Sequence, residues 1–126
     1  MNELKVFVYG TLKVGGRFSP RFDAVRTSAK VGRIKGELYD LGSFPGVKLR
    51  GESEVVGEVH TYSNAKEVEA AMDRIEGYGG PDKPHNLYEK RTILVQTDDG
   101  EESCIMYEFS RDIEEDRMIP DGEWKL

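Results

Sequence analysis

Residues 5–16 read KVFVYGTLKVGG. Val6, Phe7, Val8 and Tyr9 are all β-branched or aromatic, with no polar residue among them, which predicts a short buried strand. The run breaks at Gly10, and Gly10, Thr11, Gly15 and Gly16 make a loop of small, flexible residues. A buried strand that runs into such a loop exposes backbone N–H groups at a defined point, where they can hold a carboxylate or a developing oxyanion. A plain strand–turn junction uses the same residues. The stretch therefore marks the centre of a fold first and a site second.

The whole chain of 126 residues fits one domain, expected over 1–126, long enough to bury a core without disulfides. Charged residues make up 33% and hydrophobic ones 37%, and 24 acidic residues outweigh 18 basic ones for a net charge of −6. That balance argues against nucleic acid as a partner, because phosphate binding needs a basic face. No apolar run approaches the ~20 residues of a membrane span, so no membrane partner is expected. The start, MNELKVFVYG, lacks the basic segment and long apolar core of a secretory signal. Together with the single cysteine, Cys104, these features lead us to expect a cytoplasmic protein.

Ser19-Pro20 signals a short helix start. Residues 31–41, VGRIKGELYDL, read as strand with bends at Gly32 and Gly36, of the kind a closing barrel uses. Pro45-Gly46 reads as a turn, residues 50–54 as another, and Val55–Tyr62 as a strand. The clearest helix covers Asn64–Ile75: Val68, Ala71, Met72 and Ile75 share one face, Asn64 with Glu67 suggests a capping box, and Gly77 ends it. Residues 77–87 form a Gly/Pro-rich loop, followed by a strand over Tyr88–Thr97, a hairpin turn at Asp99-Gly100 and a return strand over Ser103–Phe109. Strands outnumber helices, which predicts an α+β fold: a small curved sheet or partly closed barrel with one main helix packed on it.

Few residues suit chemistry. His60, His85 and Cys104 lack ligand spacing, so no metal is expected. Cys104 sits in an apolar strand and reads as a small core residue. His60 has no visible partner, and no serine sits in a nucleophile elbow. Glu76 stands apart from the other acids. It closes the main helix at the border of its apolar face, where partial burial and the negative end of the dipole would both raise its pKa. A carboxylate so tuned is a better proton acceptor near neutral pH. A frayed, exposed glutamate is the alternative reading.

The chain resembles the gamma-glutamylcyclotransferase-like family, in its gamma-glutamylamine cyclotransferase-type branch. The matching segments are VYGTLKVGG (8–16), GELYDLGSFPG (36–46), VVGEVHTY (55–62), AMDRIEGY (71–78), LYEKRTILV (87–95) and GEWKL (122–126). They occur in the family's order, with one departure: Gly-Glu-Trp stands where the family often has Gly-Asp-Trp. The resemblance implies a small, mixed, barrel-like α+β fold and a cavity lined by Tyr9, Gly10, Thr11 and Leu12. It also implies a catalytic glutamate at Glu76 and no metal or other cofactor. The implied partner is a small gamma-glutamyl substrate. In a gamma-glutamyl amide the α-amine, with a pKa of about 8, attacks the γ-carbonyl to form 5-oxoproline, and a free amine leaves. Glu76 would carry the proton, and the amides of Gly10 to Leu12 would hold an anionic oxygen. Tyr9, Tyr88 and Tyr107 are candidate cavity walls and hydroxyl donors, whereas Tyr39, Tyr78 and Trp124 suit core or lid packing equally well. Loops 44–47 and 78–87 are candidates for the cavity mouth.

Three other readings stay open at this point. The same fold could act as a catalytically silent binding or interaction module. It could remove a gamma-glutamyl group from a natural product or a cross-linked lysine. It could be a water-using amidase, which would need a second activating group beside Glu76.

Overall fold

The computed structural model describes residues 3–125; Met1, Asn2 and Leu126, the ends of the expected domain, lie outside the described residues. Strand β1 spans Leu4–Val8, with Tyr9 just beyond its end. Its apolar run has no polar alternation because both faces are covered. Leu4, Val6 and Val8 pack toward the helix, while Phe7 and Tyr9 face the barrel interior.

Four more strands complete the barrel: β2 (Arg26–Lys35), β5 (Glu54–Tyr62), β6 (Tyr88–Thr97) and β7 (Gly100–Phe109). Their order is β1-β5-β2-β6-β7, closed by parallel pairing of β7 with β1 at Val6 and Ile105; the other pairings are antiparallel. The mixed, barrel-like α+β fold expected from the sequence is thus present. Val55, Val59, Val95, Cys104 and Met106 fill the interior with Phe7. The β6–β7 hairpin turns between Thr97 and Gly100, where Gly100 takes φ +104°.

One strand reading and one turn reading change. Residues 31–41 are not one strand: the chain breaks at Gly36, so that β2 stays in the barrel while β3 (Glu37–Asp40) pairs with β4 (Pro45–Lys48) in a separate ribbon. Pro45-Gly46 is therefore strand, and the turn lies just before it, where the Leu41 N–H donates to the Phe44 carbonyl at 3.0 Å. Proline is tolerated as a first strand residue. Gly46 is there for close packing, since a Cβ would lie 2.9 Å from both Leu41 Cδ1 and Phe109 Cβ.

Helix α1 covers Ala65–Ile75 and buries Val68 and Met72 against the barrel, with Ala71 and Ile75 beside them. The expected capping box is absent. Asn64 adopts φ 55°, ψ 51°, and its side chain caps nothing. A capping side chain normally leaves from an extended residue; here asparagine's tolerance of the left-handed region turns the chain out of β5 instead. The other end behaves as expected. Gly77, at φ +64°, donates to the Arg74 carbonyl, and Tyr78 donates to Asp73 at 2.8 Å, a Schellman closure with Glu76 as its C-cap. No described helix is long and apolar enough to cross a membrane.

Candidate active site

The end of β1 and the end of α1 open onto one cavity of about 240 Å3. Tyr9, Gly10, Thr11 and Leu12 line it from the first loop, Ile75 and Glu76 from the helix end, and Tyr88 and Tyr107 from β6 and β7. Every residue singled out for the site in the sequence is on this wall. Phe18, Ser43, Phe44, Pro45, Leu87 and Arg17 also line it. Of the two loops suspected at the mouth, the first contributes Phe44 and Pro45, and the second contributes Leu87 alone.

Gly10 is dictated by close approach: a Cβ there would lie 2.6 Å from Pro45 Cγ. The loop then folds on itself. Lys13 N–H donates to the Gly10 carbonyl, Gly16 to Lys13, and Phe18 to Thr11. Among the described residues, the N–H groups of Gly10, Thr11 and Leu12 find no backbone acceptor. Unpaired N–H groups are rare in folded chains, so three consecutive ones in residues that line the cavity make this stretch a candidate site for an anionic oxygen.

The Glu76 carboxyl faces the same space. It is half-buried, it lines the cavity, and burial alone pushes its pKa up to about 7. No charge or hydrogen bond from the protein offsets that desolvation. The helix dipole expected to contribute is not needed to account for the shift.

The three tyrosines line the cavity as expected, but their hydroxyl protons are engaged elsewhere. The Tyr9 hydroxyl donates to the Tyr107 carbonyl at 2.6 Å, Tyr88 to the Pro45 carbonyl at 2.7 Å, and Tyr107 to Asp73 Oδ1 at 2.6 Å. Each acceptor can only accept, so the three protons are committed. The hydroxyls retain lone pairs, which suit an ammonium or amine N–H. All three phenols are raised by burial first, with the nearby Glu76 charge adding to it, so they stay neutral. Asp73, overlooked in the sequence, sits three residues before Glu76 and also holds Lys90 Nζ at 3.1 Å. Its signal was the i, i+3 spacing on one helix face.

The remaining candidates are structural. Burial pushes the Cys104 thiol up to about 11, which leaves it unreactive near neutrality. His60, read as lacking a partner, has two on its own strand: Nδ1 lies 2.7 Å from Tyr62 Oη and Nε2 lies 2.8 Å from Glu58 Oε1. Alternate residues share a strand face, so this was readable in outline. Tyr39 is buried in the core, Trp124 packs against the barrel interior and Tyr78 meets Tyr107 edge-on. Asn86 braces the 77–87 loop, accepting from Gly79 N–H and donating to the Gly80 carbonyl. Among the described residues no three His, Cys, Asp or Glu side chains are grouped to share a metal ion.

Comparison with known proteins agrees with this architecture. The family model described as gamma-glutamyl cyclotransferase, AIG2-like, matches residues 6–126. The chain is 30% identical over 108 residues to gamma-L-glutamyl-butirosin B gamma-glutamyl cyclotransferase of Niallia circulans, covering 85% of this chain and 67% of that protein. Its fold is similar to that of an AIG2-like protein from Mus musculus, with TM-score 0.75 at 18% identity over 99% of this chain and 90% of that one. It is also similar to YkqA from Bacillus subtilis, with TM-score 0.73 at 23% identity; there it covers 97% of this chain but spans 39% of the longer protein.

Proposed function

The chain belongs to the gamma-glutamyl cyclotransferase, AIG2-like family and is an enzyme of that type; from that premise, we propose that it cyclises a gamma-glutamyl amide to 5-oxoproline with Glu76 as the proton carrier. The observation behind this reading is the pairing, in one cavity, of an unpartnered carboxyl near neutrality with three backbone N–H donors that lack acceptors.

The chemistry is intramolecular, so the site's first task is to hold the glutamyl chain folded. The substrate's α-amine nitrogen attacks the γ-carbonyl carbon, forming the ring C–N bond and placing negative charge on the carbonyl oxygen. Ionised Glu76 accepts a proton from the attacking nitrogen. The Gly10–Leu12 amides stabilise the substrate's anionic oxygens. A phenol lone pair on the cavity wall accepts the amine N–H that Glu76 does not take, which aims the nitrogen pair at the carbonyl. As the tetrahedral centre collapses, Glu76 returns the proton to the leaving nitrogen, the amide C–N bond breaks and a neutral amine departs. A base with a pKa of about 7 suits both halves of this transfer.

The test is Glu76→Gln, with release of 5-oxoproline from a panel of gamma-glutamyl amines as the readout and circular dichroism to verify the fold. The expected loss is roughly a hundredfold or more. Wild-type rates in a folded variant would remove Glu76 from the mechanism.

A further inference from the structure

The cavity wall carries two charged side chains: Glu76, half-buried, and Arg17, exposed at the rim. The position of Arg17 follows from the loop. Phe18 N–H is tied to the Thr11 carbonyl at 2.9 Å, the Phe18 ring packs against the core, and the Arg17 guanidinium lies 5.3 Å from that ring's centroid. Stacking of this kind leaves the edge of the guanidinium free to bind. Lys5, Lys30, Lys90 and Arg50 each hold a carboxylate; what sets Arg17 apart is its place on the cavity wall. Among the described residues, Arg17 makes no ion pair or side-chain hydrogen bond.

We propose that Arg17 is a specificity-determining residue that binds an anionic group, a carboxylate above all, on the leaving amine. This rests on the lactam-forming reading. With the α-amine at Glu76 and the anionic oxygens at Gly10–Leu12, the glutamyl part occupies the inner cavity. The substituent on the amide nitrogen then points toward the rim, where Arg17 and Ser43 are exposed. A guanidinium matches a carboxylate with two parallel donors. The same charge disfavours leaving amines that carry a second ammonium. Preferred substrates are therefore gamma-glutamyl amino acids or peptides rather than gamma-glutamyl polyamines.

The glutamyl α-carboxylate offers the same chemistry, and three substrates separate the two sources: gamma-glutamyl-alanine, its neutral alaninamide counterpart, and gamma-glutamyl-1,4-diaminobutane. Wild type should favour the acid over the amide in kcat/KM by about tenfold or more, with the difference in KM. Arg17→Met should erase that preference, and Arg17→Glu should move it toward the diaminobutane substrate. An equal fall for acid and amide in Arg17→Met would assign Arg17 to the glutamyl carboxylate and overturn the proposal, as would no change for either. If wild type releases no 5-oxoproline from any of the three, the lactam reading fails on its own. Calorimetric Kd values for the same compounds then decide the rim. A preference for the acid that is lost in Arg17→Met sustains the site; equal Kd values for acid and amide overturn it.

Discussion

Glu76 and Glu102 are both partly buried carboxylates, yet the molecule treats them in opposite ways. Glu102, on β7, is 12% exposed at its side chain and is held by the ammoniums of Lys30 and Lys5, which bring its pKa down to about 2. Glu76, at the mouth of the barrel, has no cation or donor, and burial takes it up to about 7. The two differ in both respects: Glu76 is desolvated with nothing to offset it, whereas at Glu102 the two lysines outweigh the smaller effect of burial. At one end of the barrel the charges are arranged for folding. At the other a charge is left unsatisfied where a ligand can reach it, a common mark of a functional site.

The largest consequence of that contrast is in the pH–rate profile. If Glu76 must be ionised, kcat/KM should fall about tenfold per unit below pH 7, and a flat profile from pH 5 to 8 would show that its ionisation does not matter. Supplying the missing cation sharpens the same point. Leu87 lines the cavity and packs against Gly77, so Leu87→Lys places an ammonium near Glu76. The acid limb should then move down by about one unit or more; an unmoved limb would mean that the two groups do not interact.

Stability should show the same contrast. The folded pKa of Glu76 lies above its unfolded value of 4.5, so between about pH 4.5 and pH 7 the unfolded chain holds fewer protons. Stability attributable to Glu76 is therefore lost as pH rises through that window. Glu76→Gln should be more stable than wild type at pH 8, on the order of 2 kcal/mol, with no gain below pH 4.5. Urea melts at the two pH values measure this, and a gain independent of pH would refute the linkage.

Tyr88→Phe removes the hydroxyl that donates to Pro45 and should cost about 1 kcal/mol in the same melts. An unchanged midpoint would show that the bond contributes nothing net. Glu102→Gln should have the smallest effect, below about 1 kcal/mol, because Lys5 and Lys30 are partly exposed. Here the sign is reversed. The folded pKa is depressed, so the contribution is present above about pH 4.5 and disappears as pH falls toward about 2. A loss larger than that of Tyr88→Phe would mean that the pair is more deeply coupled than its exposure implies.

Much of the fold was legible because local chemistry and tertiary context agreed. The apolar run at Val6–Tyr9, the single apolar face of α1, its glycine stop and the β6–β7 hairpin all follow from periodicity and turn residues. Readings failed where a local signal had two uses. Pro45-Gly46 has the composition of a turn but is strand, because Gly46 lies against Phe109. Asn64 has the side chain of a cap but uses its backbone tolerance instead. Tyr9, Tyr88 and Tyr107 were readable as cavity walls, but not their acceptors, which come from residues 43 to 98 positions away or on a facing helix.

The strand, the small-residue loop and an acid at the end of an amphipathic helix are local features, readable because each depends on neighbours a few residues apart. That the acid and the loop share one cavity follows from long-range packing alone. Parallel closure of β7 onto β1 and the packing of Val68 and Met72 bring these elements together across half of the chain. The same packing strips water from Glu76 while giving it no partner, and that desolvation, absent from any local pattern, sets its proton affinity.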